Sequence, residues 1–105
     1  MKVRFSIRAY ELLEDVRKSI TERAGSNIAD EYIDGLFKKI NGLKIHPEKY
    51  PPCRNPKFYE LGFRCFTHKK AYTVVYRVTN IVRIIGFIYG GRHPDNQVKD
   101  LFGED

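Results

Sequence analysis

Residues 71–89 read AYTVVYRVTNIVRIIGFIY, and the places where this stretch breaks decide the fold. Tyr72, Val74, Val75 and Tyr76 give residues 71–78 the β-branched and aromatic content of a strand. Thr79 and Asn80 turn the chain. Residues 81–89 then run almost continuously apolar apart from Arg83, as expected of a central strand covered on both faces, and Gly90 and Gly91 end it. Just upstream, residues 61–67 read as another strand, joined to 71–78 by a polar turn at His68, Lys69 and Lys70, where the lysine pair is solvated. Strands linked by such short turns are antiparallel. Their register stays open, because a slip of one residue exchanges Tyr76 and Arg77 between the two faces.

The amino-terminal half has the other periodicity. Residues 3–7 alternate Val3, Phe5 and Ile7 with Arg4 and Ser6, the pattern of a half-buried strand. From about Arg8, apolar residues recur at three and four: Ala9, Leu12, Leu13, Val16, Ile20 and Ala24 form one stripe, with Glu11, Glu14, Asp15, Arg17 and Lys18 opposite. Gly25 ends this helix, and Ser26 or Asn27 caps a second, with Asp30 in its first turn. The second stripe is Ile28, Ala29, Tyr32, Ile33, Leu36, Phe37 and Ile40. So short a connection makes the pair an antiparallel hairpin.

Residues 44–57 lose both patterns, and Pro47, Pro51, Pro52 and Pro56 mark a loop. Beyond Pro94, residues 95–105 are a tail in which Val98, Leu101 and Phe102 either form one amphipathic turn or fray. The reading is a single domain over residues 1–105, of α+β class and order β-α-α-β-β-β. Its antiparallel sheet is covered on one face by the two-helix hairpin, and the other face is left for a partner.

The net charge of +6 points to a polyanionic partner: nucleic acid, an anionic membrane or an acidic protein segment. Cys53 and Cys65 stand alone, without the paired spacing of a disulfide framework or a zinc site, so the reducing cytosol is expected. No stretch has the length of a membrane span, and the first residues lack the apolar core of a secretory leader. Gly-rich phosphate loops, nucleophile elbows and metal-ligand spacings are all absent from the sequence, so no cofactor and no metal are expected.

Gly62-Phe63-Arg64, Tyr72-Thr73-Val74-Val75-Tyr76-Arg77 and Tyr89-Gly90-Gly91-Arg92-His93-Pro94, in that order and spacing, resemble the RelE/ParE superfamily of toxins over residues 3–95. The resemblance implies the toxin of a type II toxin–antitoxin, or plasmid stabilisation, system acting in the bacterial cytoplasm. Its ParE branch inhibits DNA gyrase by binding, and its RelE branch cuts mRNA on the ribosome. RNA cleavage without a metal needs a proton acceptor, a proton donor and cations to hold the developing charge. At two positions where RelE toxins carry cations this chain has Phe66 and Thr73, which favours the gyrase-binding branch and a protein that is not an enzyme.

Were the chain an endoribonuclease, Arg64, Arg92 and His93 would be its chemical residues, His93 having the titration range for proton transfer; His46 and His68 complete the histidines. Arg64, Arg77, Arg83, Arg92 and His93 are the candidate contacts to target or antitoxin, because a guanidinium grips phosphate or carboxylate with two prongs. Arg77 and Arg83 also read as solvated residues flanking the Thr79-Asn80 turn, and Tyr72 and Tyr76 as core. The implied partner is a small acidic antitoxin that folds on binding and forms a hetero-oligomer with the toxin. A non-toxic basic interaction domain is the remaining alternative.

Overall fold

A computed structural model describes residues 1–103. The elements run β1 (Val3–Phe5), α1 (Ile7–Ala24), α2 (Ser26–Gly42), α3 (Pro56–Glu60), β2 (Arg64–His68), β3 (Tyr72–Val78), β4 (Val82–Tyr89) and α4 (Pro94–Phe102). The α+β class and the order strand, helix, helix, three strands are as read, with α3 and α4 added. Ser6 starts α1 by accepting a hydrogen bond from the Ala9 amide at 3.0 Å, which ends the first strand before Ile7 and leaves that residue 81% exposed. Gly25, at φ +92°, closes α1 with its N–H on the Thr21 carbonyl and is itself the residue before α2, so neither Ser26 nor Asn27 caps. This one-residue joint folds α2 back along α1, and Arg17 reaches Asp30 at 2.7 Å.

The sheet order is β1-β4-β3-β2. Its last three strands pair antiparallel as read, but β1 joins β4 in parallel, Val3 opposite Val82 and Phe5 opposite Ile84. A parallel partner needs a long crossover, which the helical hairpin and everything after it supply. Between Val75 and Tyr76 the register on β4 jumps from Gly86 to Ile84, so Ile85 is the extra residue of a bulge. The bulge lets Tyr76, Ile84, Val82 and Phe5 all lie in the core beneath α1 and α2.

His68 is not a turn residue. It continues the alternation of β2 by one step and is buried to 3% exposure, beside the Tyr32 ring at 4.7 Å. The Tyr32 hydroxyl of α2 donates to the His68 carbonyl at 2.9 Å and accepts from the Tyr72 amide at 3.1 Å, pinning the end of the β2–β3 hairpin to the helices. The turn itself is Lys69-Lys70, both left-handed at φ 50° and 57°, closed by the Ala71 amide on the His68 carbonyl at 3.1 Å. Two residues with a Cβ in this conformation are strained, since such turns favour Gly and Asn. Lys70→Gly is therefore expected to raise the unfolding free energy by about 1 kcal/mol, read from the urea midpoint; a fall would mean that the Lys70 side chain contributes to packing.

The proline-rich segment is more ordered than a loop. Asn55 accepts from the amides of Lys57 at 3.0 Å and Phe58 at 3.4 Å, and Pro56 occupies the first turn, so α3 is a capped helix. Before it, residues 51–53 run beside β2, with the Cys53 amide on the Phe63 carbonyl at 3.0 Å and the Cys65 amide on the Pro51 carbonyl at 3.2 Å. Cys53 and Cys65 are joined in a disulfide across this pairing, their Cα atoms 4.9 Å apart. The expectation of two free thiols is thereby overturned: α3 reverses the chain between them, which a spacing of twelve residues does not reveal. The step from unpaired cysteines to a reducing compartment falls with it. Among the described residues no helix is long and apolar enough to cross a membrane.

The tail is likewise more than a turn. His93 caps α4, Pro94 begins it and Gly103 at φ +80° ends it; residues 104–105 lie outside the described residues. β1 pairs only with Val82–Ile84, and α4 packs beside the later part of β4, setting Leu101 against Gly86, where an added Cβ would overlap Leu101 and Leu12. Phe102 meets Phe58 and Phe63, and Asn55 donates to the Pro94 carbonyl and the Gln97 side chain, both at 3.0 Å. The second sheet face is thus only partly left open.

Candidate functional site

Register, more than sequence order, gathers cations on the sheet. Arg77 of β3 lies opposite Arg83 of β4, and Arg83 lies opposite Arg4 of β1. Residues directly opposite project from the same face, and neighbouring strands are about 4.8 Å apart, so the three side chains stand in a row. Each is exposed, and each alternates with residues in the core or packed against it: Val3 and Phe5, Val82 and Ile84, Tyr76. The row therefore faces away from α1 and α2. Among the described residues no carboxylate lies within ion-pair distance of any of the three. Arg4 escaped the sequence reading: its alternation with Val3 and Phe5 gave the face, but no local signal gave its parallel partner.

Arg64 and Arg92 belong elsewhere. Arg64 shares a register position with Tyr76 on the helix side, and its guanidinium donates to the Tyr50 carbonyl at 2.6 Å. The Tyr76 hydroxyl donates to the Pro47 carbonyl at 3.0 Å, and burial is the main cause that raises its pKa. Together these two side chains fasten the segment after α2 to the sheet. Arg92, beyond the far end of β4, grips both carboxylate oxygens of Asp100 at 2.7 and 3.1 Å, and that bonded carboxylate holds its pKa above the ordinary arginine value. Arg8 adds a bond to the Asp100 carbonyl at 2.8 Å, so this acidic residue ties α4 to α1.

His93 is an exposed cap whose Nδ1 accepts from the Asp95 amide at 3.3 Å. Arg64 starts β2 level with Ile84, whereas Tyr89, three residues before Arg92, is five residues further along β4, about 16 Å at 3.3 Å per residue. The topology does not bring Arg64, Arg92 and His93 together as acid, base and cation. Of the other histidines, His46 is exposed in the loop and His68 is in the core.

Phe66 stacks on Tyr50 with ring centroids 4.3 Å apart, and the Thr73 hydroxyl bonds that of Thr67 at 2.9 Å, so neither position offers a cation. Thr67, Thr73 and Ile88 floor a cleft of about 640 Å³, walled by Pro52, Arg54 and Gln97 beside the disulfide. The cleft is a product of α3 and α4 meeting over the sheet, and sequence reasoning had no means to find it. No three or more His, Cys, Asp or Glu residues among those described are grouped as a metal ion requires.

A family model described as "ParE toxin of type II toxin-antitoxin system, parDE" matches residues 3–94. No curated protein matches the sequence. A solved structure titled "Chromosomal ParDE TA system from P. aeruginosa" is similar with a TM-score of 0.70 and 15% identity, over 85% of this chain and 95% of that one. At that identity the likeness speaks to the fold.

Proposed function

Because this chain belongs to the ParE toxin family of type II toxin–antitoxin systems, we propose that it arrests growth by binding DNA gyrase, not by cutting RNA. The observation that carries this reading is the dispersal of the groups that RNA cleavage would need: Arg64 fastens a loop, Arg92 and His93 organise α4, and Phe66 and Thr73 supply no charge. Without a proton acceptor and donor held within reach of one phosphodiester, in-line attack of a 2′-hydroxyl has little assistance. A binding inhibitor needs only a rigid surface, which the doubly tethered α4 and the open part of the sheet provide.

The cognate antitoxin is a short acidic chain that orders on contact. The cleft over Thr67, Thr73 and Ile88 is the place for its apolar side chains, and the net charge of +6 suits its acidity. That the similar P. aeruginosa structure is of a ParDE TA system supports expecting an antitoxin partner.

Brief expression in a susceptible host tests the target. DNA breaks with a repair response, intact messages, and loss of supercoiling by purified gyrase on adding the protein are the expected results. Messages cut at ribosome-occupied codons with undamaged DNA would transfer the chain to the endoribonuclease reading. Healthy cells with fully active gyrase would leave it a non-toxic interaction domain.

A further inference from the structure

Arg4, Arg83 and Arg77 form a row that folding alone does not explain. Like charges placed directly opposite on adjacent strands repel and destabilise the pair, and here the arrangement occurs twice in succession across β1, β4 and β3. All three residues are exposed, and among those described none is offset by a carboxylate. Lys2 lies two residues before Arg4 and is also exposed. This concentrates charge at the end of the sheet remote from α4.

We infer that this row is a binding site for the phosphodiester backbone of duplex DNA, independent of base sequence. Guanidinium groups grip phosphate oxygens with two parallel hydrogen bonds, and three long arginine side chains side by side offer three such contacts to a phosphodiester backbone. Two other occupants fit less well. An acidic peptide that orders on binding needs apolar surface beside its charge contacts. The exposed large apolar residues are Met1 at the amino terminus, Tyr89, and residues of helices and loops; none is on β1, β3 or the Val82–Ile84 part of β4. Single-stranded nucleic acid is held by stacking on aromatic rings, and the strand aromatics beside the row lie on the opposite face, Tyr76 at 0% exposure and half-buried Phe5 packed against Tyr10, Phe37 and Phe87. The preference for DNA over duplex RNA rests on the gyrase reading, since the substrate of gyrase is duplex DNA.

The test is fluorescence anisotropy of a labelled 24-base-pair DNA of arbitrary sequence with the full chain and no gyrase, over a range of salt. Three phosphate contacts give a slope of log affinity against log salt near −2.7. The R4Q/R77Q/R83Q variant is expected to flatten that slope by 2 to 3 and to weaken binding at least tenfold at about 0.1 M salt. A K18Q/K38Q/K57Q variant, with the same loss of charge on the helices, should stay within twofold of the wild type. Relief of repulsion should leave the melting temperature of the arginine variant equal to or above that of the wild type, which separates lost binding from lost folding.

An unchanged slope in the arginine variant, equal weakening in the lysine variant, or no binding by the wild type would overturn the inference. Equal or tighter binding of duplex RNA, or of a polyglutamate peptide competing for the same arginines, would overturn it as well. Failure of the wild type to bind DNA through the row, with gyrase inhibition intact, refutes only this site. DNA binding through the row with gyrase unaffected refutes only the proposed target.

Discussion

Reduction of the Cys53–Cys65 bridge is expected to lower the free energy of unfolding by about 3 kcal/mol, the loop-entropy value for a closure of roughly this length. For a domain whose total stability is of order 5–15 kcal/mol, such a change is large. The bridge closes the segment that carries α3, and through Asn55 that segment bonds α4, so its release reaches the far side of the cleft. Urea unfolding with and without a reductant, compared with Cys65→Ser under both conditions, measures it. The reduced wild type and the variant should share one lowered midpoint, and the variant should no longer respond to reductant. An unmoved midpoint on reduction would show that the pairing of residues 51–53 with β2, together with the Arg64 bond to Tyr50, holds the segment without the covalent link.

What was legible in the sequence and what was not divide along the range of the interaction. The stripes of α1 and α2, the joint at Gly25 and the strands within residues 71–89 are matters of neighbours along the chain, and periodicity exposes them. The parallel docking of β1 on β4 depends on partners 79 residues apart, Val3 and Val82, about which local pattern is silent. Arg4 was lost to the candidate site for that reason. The disulfide was missed because only the reversal at α3 brings its halves together, and α4 because its apolar residues find their partners on Gly86 and Phe63.

Side chains with two possible uses were the harder case. Arg64 and Arg92 matched toxin motifs and looked like target contacts, yet each is engaged within the fold, while Arg77 and Arg83, which read equally well as solvated turn flanks, stand unpaired among the described residues. A motif shared across a fold reports selection on the position without saying whether stability or recognition is served. The three-motif resemblance nonetheless led to the family that the matching over residues 3–94 establishes.

Gly35→Ala in the middle of α2 should destabilise the protein by about 2 kcal/mol, although the same change in an exposed helix would stabilise it by about 1 kcal/mol. A Cβ at Gly35 would come to 2.9 Å from Nε2 and 3.1 Å from Cε1 of His68, tighter than the packed ring can yield. The glycine is there because the imidazole lies on the helix backbone. His68 is costly in its own right: it is 3% exposed, and among the described residues neither ring nitrogen has a hydrogen-bond partner.

Burial first, then the cations of Lys39 and Lys69, hold the pKa of His68 below the ordinary 6.5, the backbone of Tyr32 beside the ring opposing them. In the window between that lowered value and 6.5 the unfolded chain binds the extra proton and the native state does not, so stability rises with pH there and is lost as pH falls from 6.5. His68→Leu should therefore retain its neutral-pH stability and lose part of the decline seen between about pH 7 and pH 5 in paired urea titrations. Combined with Gly35→Ala, it should return most of the about 2 kcal/mol lost by the glycine variant alone, because a flexible leucine can withdraw from the new Cβ. Additive losses in the double variant, or an undiminished acid response in His68→Leu, would place both effects somewhere other than this contact.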